Sequence, residues 1–200
     1  MADQREQVVL DHFQRSCETL ERAAKEPEML AAILAIVDRI TRALREGGKV
    51  MLAGNGGSAA DSQHIAAELL GRYKIDRASL AAIALTTDTS ALTSIGNDFS
   101  FDEIFERQVR GLGRRGDVFI GISTSGRSRN ILAALKAARE LGIATIGFTG
   151  MKGGQMRALC DLMLVAPSDD TALIQQIHIT AAHAICGLVE RDLYGAPPPR

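Results

Sequence analysis

The sequence predicts an α/β fold, a doubly wound five-stranded parallel sheet flanked by helices, preceded by two amphipathic helices. Three observations carry this. From Gly48 onward, five short apolar runs alternate with helical stretches. The runs are apolar throughout rather than at every second residue, as strands covered on both faces must be. Before Gly47 there is no glycine, and apolar residues recur at helical spacing.

In the leading segment, Val9, Phe13, Cys17 and Leu20 form one stripe, and Leu30, Ile33, Val37, Ile40 and Leu44 a sharper one. Pro27 separates the two helices or starts the second. Residues 1–47 have no strand of their own to cover, so they are expected to pack against another subunit as well as the α/β body at 48–194. The whole chain, 1–200, is read as one domain. The strands are KVMLAG, SLAAIALTT, GDVFIGIST, IATIGFTG and CDLMLVAP. Helices are expected at about 58–72, 89–110, 128–141, 152–158 and 170–192. Crossovers should be right-handed, with ligands bound beyond the carboxyl ends of the strands. The proline-rich tail GAPPPR is expected to fray.

Composition narrows the function. A chain of 200 residues, 46% hydrophobic and 24% charged, is ordinary for a folded domain. A net charge of -1 supplies no global field for nucleic acid or anionic membrane. No apolar run approaches the roughly 20 residues of a membrane helix. The start MADQREQVV lacks an apolar secretion core, so no signal peptide is expected. Cys17, Cys160 and Cys186 are odd in number and lack a CxxC spacing, and they are read as reduced, small buried residues.

The loops after the strands hold the chemistry. In STSGRSRN, Ser123, Thr124, Ser125 and Ser128 offer four hydroxyls, and Gly126 lets the backbone turn tightly. A helix starting near Ser128 would aim its free amides at this loop, a phosphate cradle without lysine. The bland alternative is an N-cap cluster. GNGGS is neither a GxGxxG fingerprint nor a Walker loop. Its Asn55 has an amide suited to sugar hydroxyls, or the loop is a plain tight turn. His64 and Glu68 stand four apart on one helix face. They can share a metal ion, Glu68 can serve as a general base, or the two form a surface pair. In the last helix His178 falls on the apolar face, and helical geometry aligns His183 with Gln176 rather than Gln175.

Four ordered runs, GNGGSAADSQHIAAELLGRY, IALTTDTSALTSIGNDF, GDVFIGISTSGRS and IQQIHITAAH, resemble the bacterial phosphoheptose isomerases. These are sugar isomerase (SIS) domain enzymes with a flavodoxin-like fold. The resemblance spans about residues 5 to 194. It implies a cytoplasmic homotetramer with active sites between subunits and one zinc per subunit. It implies conversion of sedoheptulose 7-phosphate to D-glycero-D-manno-heptose 7-phosphate, the first step toward the nucleotide-heptose of lipopolysaccharide core or capsule. It implies that Asn55, Gly56, Gly57, Asn97 and Asp98 contact substrate, and that Ser123, Thr124, Ser125 and Ser128 hold its phosphate. His64, Glu68, Gln175 and His183 become the metal set. Glu68 and Gln175 also touch substrate, and Glu68 and His183 are catalytic. The motif thus selects Gln175 against the helical geometry.

The implied reaction moves a proton between adjacent carbons through an enediol, for which one well-placed carboxylate suffices. The resemblance also reaches the DnaA-binding initiator-associating protein, a replication scaffold of the same fold. Glu68, His183 and an intact STSG loop favour the enzyme. A shorter ketose phosphate is a further substrate alternative. Asp61, Asp169 and Asp170 are left without a role, and Arg72 is read as capping a helix end in preference to neutralising phosphate from a neighbouring subunit.

Overall fold

The computed structural model describes residues 2–195; the rest of the tail expected to fray, 196–200, lies outside the described residues. Helices α1 (Ala2–Lys25) and α2 (Pro27–Arg45) precede β1 (Val50–Gly54), α3 (Gly57–Leu70), β2 (Ala82–Ala84), α4 (Thr89–Asp98) and α5 (Glu106–Leu112). Then come β3 (Val118–Ile122), α6 (Arg129–Glu140), β4 (Ala144–Gly150), β5 (Leu162–Ala166) and α7 (Thr171–Tyr194). Single 3-10 turns lie at Phe101–Glu103 and Gly154–Ala158.

The five strands are all parallel, in the order β2-β1-β3-β4-β5. Val50 pairs with Val118, and Ile120 with Ile146. The chain winds outward in opposite directions from β1 and β3, so the loops that follow these two strands part and leave a crevice. Alternate residues face opposite layers. Val50, Leu52, Ile120 and Phe148 pack under α2, α3 and α7. Met51, Ala53 and Phe119 pack under α5 and α6. At the other end of the sheet, the buried Asp117 carboxylate accepts from the Lys49 and Arg114 backbone N–H groups and from Lys49 Nζ at 2.6 Å. It ties the start of β1 to the start of β3.

The leading helices do not behave alike. Pro27 occupies the first turn of α2, where its missing N–H is no loss. That helix buries Met29, Ile36, Val37 and Ile40 against the sheet, so it does have strands to cover, contrary to the expectation. In α1 the predicted stripe stays in the open, with Val9 54% and Phe13 66% exposed. Among the described residues of α1, only Thr19 and Ala23 are buried. Arg15 on α1 reaches Asp170 at 2.6 Å, and Arg22 donates to the Pro167 carbonyl at 3.1 Å.

Other boundaries shift for local reasons. The helix expected over 89–110 is three pieces. Asp88 caps the first by accepting from Ala91 N–H, and extended Ser100 breaks the run. Asn97, Asp98 and Ser100 offer the backbone side-chain partners that compete with helix. The second strand shrinks to three residues, since alanine supplies little side chain to pack on a sheet edge. The segment at 152–158 becomes a 3-10 turn behind left-handed Gly153. Of the cysteines expected inside, Cys186 is buried, Cys160 partly so, and Cys17 on the open face of α1 is exposed. Helix α7 is long and apolar enough to cross a membrane, but half of that stretch is buried within the fold.

His178 lies in that buried part. It is fully enclosed beside Phe148, and its Nε2 donates to the Thr149 carbonyl at 3.2 Å while Nδ1 has no partner. Burial pulls its pKa from 6.5 down to about 4, partly offset by the Thr149 bond. Between those two values the unfolded chain binds the extra proton, so stability falls as pH drops through this window. Urea unfolding at fixed protein concentration should lose about 1.5 kcal/mol from this group between pH 6.5 and pH 5. His178→Gln should flatten that part of the profile.

Candidate active site

Helix α3 starts at the carboxyl end of β1, and α7 runs beside it. Two turns into α3, His64 Nε2 lies 3.1 Å from Glu68 Oε1. His183 Nε2, from α7, lies 3.2 Å from both His64 Nε2 and Glu68 Oε1. Three ligand atoms thus meet from two helices of one chain. A carboxylate oxygen only accepts, and two neutral imidazole nitrogens repel lone pair to lone pair unless one carries a proton. A cation resolves this. Nitrogen and oxygen ligands around tetrahedral zinc stand about 3.3 Å from one another, near the spacing seen here. The donor set of two imidazoles and a carboxylate suits that metal.

Glu68 turns only Oε1 toward the histidines; Oε2 is enclosed without a hydrogen-bond partner. Behind it, burial and then the charge of Glu68 push the Cys186 thiol above its usual range, so it stays a neutral packed group. One turn before His64, burial raises the Asp61 carboxyl, and His64 offsets part of the rise.

The serine loop after β3 lies across the crevice. Ser128 occupies the N-cap of α6, yet its hydroxyl makes no cap bond. It meets Ser123 Oγ at 2.9 Å instead, leaving the amides of the first turn free of it. Gly126 takes a left-handed φ of 64°, and a side chain there would strike the Gly153–Gly154 backbone. Beside the loop a cavity of about 270 Å³ opens, with Thr124 and Ser125 in its wall and Arg127 and Lys152 among its cations. Asn55 and Asn130 exchange two amide hydrogen bonds, of 3.0 and 2.8 Å, across the crevice.

This arrangement has close counterparts. Residues 11–150 match the model of the SIS domain family. A phosphoheptose isomerase of Bradyrhizobium sp. (strain ORS 278) is 58% identical over 193 residues, covering 96% of this chain and 98% of that one. The structure of phosphoheptose isomerase from Neisseria gonorrhoeae superposes with a TM-score of 0.87 at 44% identity, covering 92% of this chain and 98% of that one. That of a Francisella tularensis phosphoheptose isomerase gives 0.88 at 34%, covering 92% and 97%. The chain belongs to the phosphoheptose isomerase family of SIS domains.

In this SIS domain the other expected residues fall as follows. The Gln175 side chain lies against Gly57, where a Cβ would collide with it. Gln175 therefore faces the first turn of α3. Gly56 begins that turn with a left-handed φ of 56°. The Asn55 amide is engaged by Asn130 rather than free for a sugar hydroxyl. Asn97 and Asp98 bond to each other at 2.9 Å on the exposed end of α4, with no hydrogen bond to the histidine cluster. Asp170 caps α7 by accepting from Ala172 N–H, and Asp169 stands near Lys152.

The residue that caps α3 is Arg77, not Arg72. Its guanidinium donates to the carbonyls of Glu68, Leu69, Gly71 and Ala78 at 2.8 to 3.2 Å. Its Nε donates to the buried Glu190 carboxylate at 3.0 Å. Glu190 also accepts the N–H groups of Tyr73, Lys74 and Ile75. Burial alone would raise this carboxyl, but those N–H groups and Arg77 outweigh it and hold it below the usual range. Tyr73 in turn stacks on His183 at 5.6 Å and 8°. Sequence reasoning missed Tyr73, Arg77, Asn130 and Glu190. Glu190, next to the apolar stretch of the last helix, was a signal for Arg77 and Tyr73, and none marked Asn130.

Asn130 is 2% exposed and also accepts the Ile131 N–H. Asn130→Ala should destabilise the fold by about 1–3 kcal/mol, because the Asn55 amide loses both partners. Hydrogen exchange should speed up at 55–57 and 123–128 while the strand amides keep their rates.

Proposed function

We propose that the protein is an aldose–ketose isomerase that converts sedoheptulose 7-phosphate to D-glycero-D-manno-heptose 7-phosphate, the entry step to nucleotide-heptose for lipopolysaccharide core or capsule. The observation that carries this reading is the meeting of Glu68 with His183 and His64 across the crevice from the serine loop, in a chain 58% identical to a phosphoheptose isomerase. A DnaA-binding scaffold is not favoured, since a scaffold has no use for such a cluster.

The serine loop, with Ser123, Thr124, Ser125 and Ser128, takes the phosphate on its hydroxyls and on the amides of the first turn of α6. This fixes the reach of the sugar. The far end then meets Glu68. Its carboxylate removes the proton from carbon 1 of the ketose while the electron pair forms the carbon 1–carbon 2 double bond. His183 supplies a proton to the carbon 2 oxygen. The enediol collapses to the aldose as its carbon 1 hydroxyl returns a proton to His183 and Glu68 returns its own to carbon 2. Gly56, Gly57, Asn97, Asp98 and Gln175 line the sugar in this reading. Asn55 does so through its backbone, its amide being held by Asn130.

His64, Glu68, Gln175 and His183 would hold one zinc ion per subunit. When bound, zinc supplies Lewis-acid polarisation of the substrate oxygens. The exposed face of α1, with Val9, Phe13 and Leu20, supports a homotetramer whose sites lie between subunits. A biosynthetic role on soluble sugar phosphates supports a cytoplasmic location.

Purified protein should isomerise sedoheptulose 7-phosphate faster than any pentose phosphate, and Glu68→Gln should lower kcat about 10²–10⁴-fold with the fold intact. A folded parent inactive on every sugar phosphate would return the scaffold reading. Sedimentation should give four times 21.4 kDa, and Phe13→Glu should shift it to smaller species.

A further inference from the structure

His183 presents Nε2 to Glu68 and His64, so the plane of its ring decides the geometry of the cluster. The χ2 angle of histidine is soft. Such rings are commonly fixed by a hydrogen bond at the other nitrogen. Among the described residues, none reaches His183 Nδ1. What lies on the ring is Tyr73, nearly parallel to it. Tyr73 also crosses α7 at Gly187, one turn beyond His183. A Cβ at Gly187 would stand 3.2 Å from the tyrosine ring. Glycine is a poor helix former, and its place inside a 24-residue helix is explained by the ring that rests there.

The loop carrying Tyr73 is anchored from both sides. Arg77 and Glu190 have side chains 1% exposed. Arg77 grips the carbonyls at the end of α3, including that of Glu68, while Glu190 on α7 gathers the N–H groups of residues 73 to 75. The helix of Glu68 and the helix of His183 are therefore locked to one loop.

We propose that this loop is the positioning device of the cluster: Tyr73, seated on Gly187, sets the plane of His183, and the Arg77–Glu190 pair sets the register of α3 against α7. The proposal rests on the isomerase reading and deepens it. None of the four residues reacts; they act through His183 and Glu68.

The test compares Tyr73→Phe, Tyr73→Leu, Gly187→Ala and Arg77→Lys with the parent protein. Each is measured for thermal unfolding, for kcat and KM on sedoheptulose 7-phosphate, and for Co²⁺ binding by its visible absorption. Tyr73→Phe keeps the ring and should match the parent. Tyr73→Leu and Gly187→Ala should fold, lose about 10–100-fold in kcat with KM nearly constant, and bind Co²⁺ about tenfold more weakly with a shifted band. Gly187→Ala leaves every polar group intact and favours helix, so it decides the matter even if Arg77→Lys fails to fold. Parent-like kcat and Co²⁺ spectra in both Tyr73→Leu and Gly187→Ala would overturn the proposal. So would a rise in KM at constant kcat, which would make Tyr73 a substrate contact. A parent that neither isomerises nor binds Co²⁺ would remove the isomerase reading and the proposal with it. An active parent with indifferent variants would remove the proposal alone.

Discussion

Glu68 meets His183 across two helices, and the carboxyl end of the sheet is arranged around that contact. His64 and His183 are 119 residues apart in the chain, yet their Nε2 atoms approach to 3.2 Å. No local propensity can bring this about. It requires α3 and α7 to lie side by side on the same face of the sheet, which the apolar layer of Ile65, Leu69, Ile177 and Ala181 provides. Packing brings the two helices together, and the polar groups at their ends fix their register.

Those polar groups carry much of the specificity of the fold. A buried ion pair adds little net stability, because desolvating both charges offsets their attraction. Breaking one partner, in contrast, leaves a charge stranded inside. Glu190 meets that constraint by accepting three backbone N–H groups and a guanidinium, so one conformation of its loop is far better satisfied than any other. Asp117 does the same for the starts of β1 and β3. The Asn55–Asn130 exchange joins the loops that follow these strands. The sheet is thereby pinned at both ends where its strand order reverses, and the crevice between them keeps its width.

Chemistry at the crevice follows from what the serine loop and the helices α3 and α7 present. Hydroxyls and free amides lie on the β3 side, and a carboxylate with two imidazoles on the β1 side. Under the proposed function, hydroxyls and amides would hold one end of a sugar phosphate while the carboxylate and imidazoles act on the other.

Much of this was legible in the sequence. Apolar runs alternating with helical stretches determine a parallel sheet, because a strand without a polar face must be covered twice. The i, i+4 spacing places His64 and Glu68 on one face, and the hydroxyl count in STSGRS marks a loop with more donors than a cap needs. The helical geometry that favoured Gln176 is read along one helix, whereas Gln175 lies against Gly57 of another. Periodicity gave both α1 and α2 an apolar stripe, sharper in α2, yet of the two only α2 buries its stripe against the sheet. Arg72 and Arg77 are indistinguishable as sequence, and only the buried carboxylate of Glu190 selects the second. Local pattern records which face of an element is apolar. Which faces meet depends on contacts between residues far apart in the chain, and those leave no local trace.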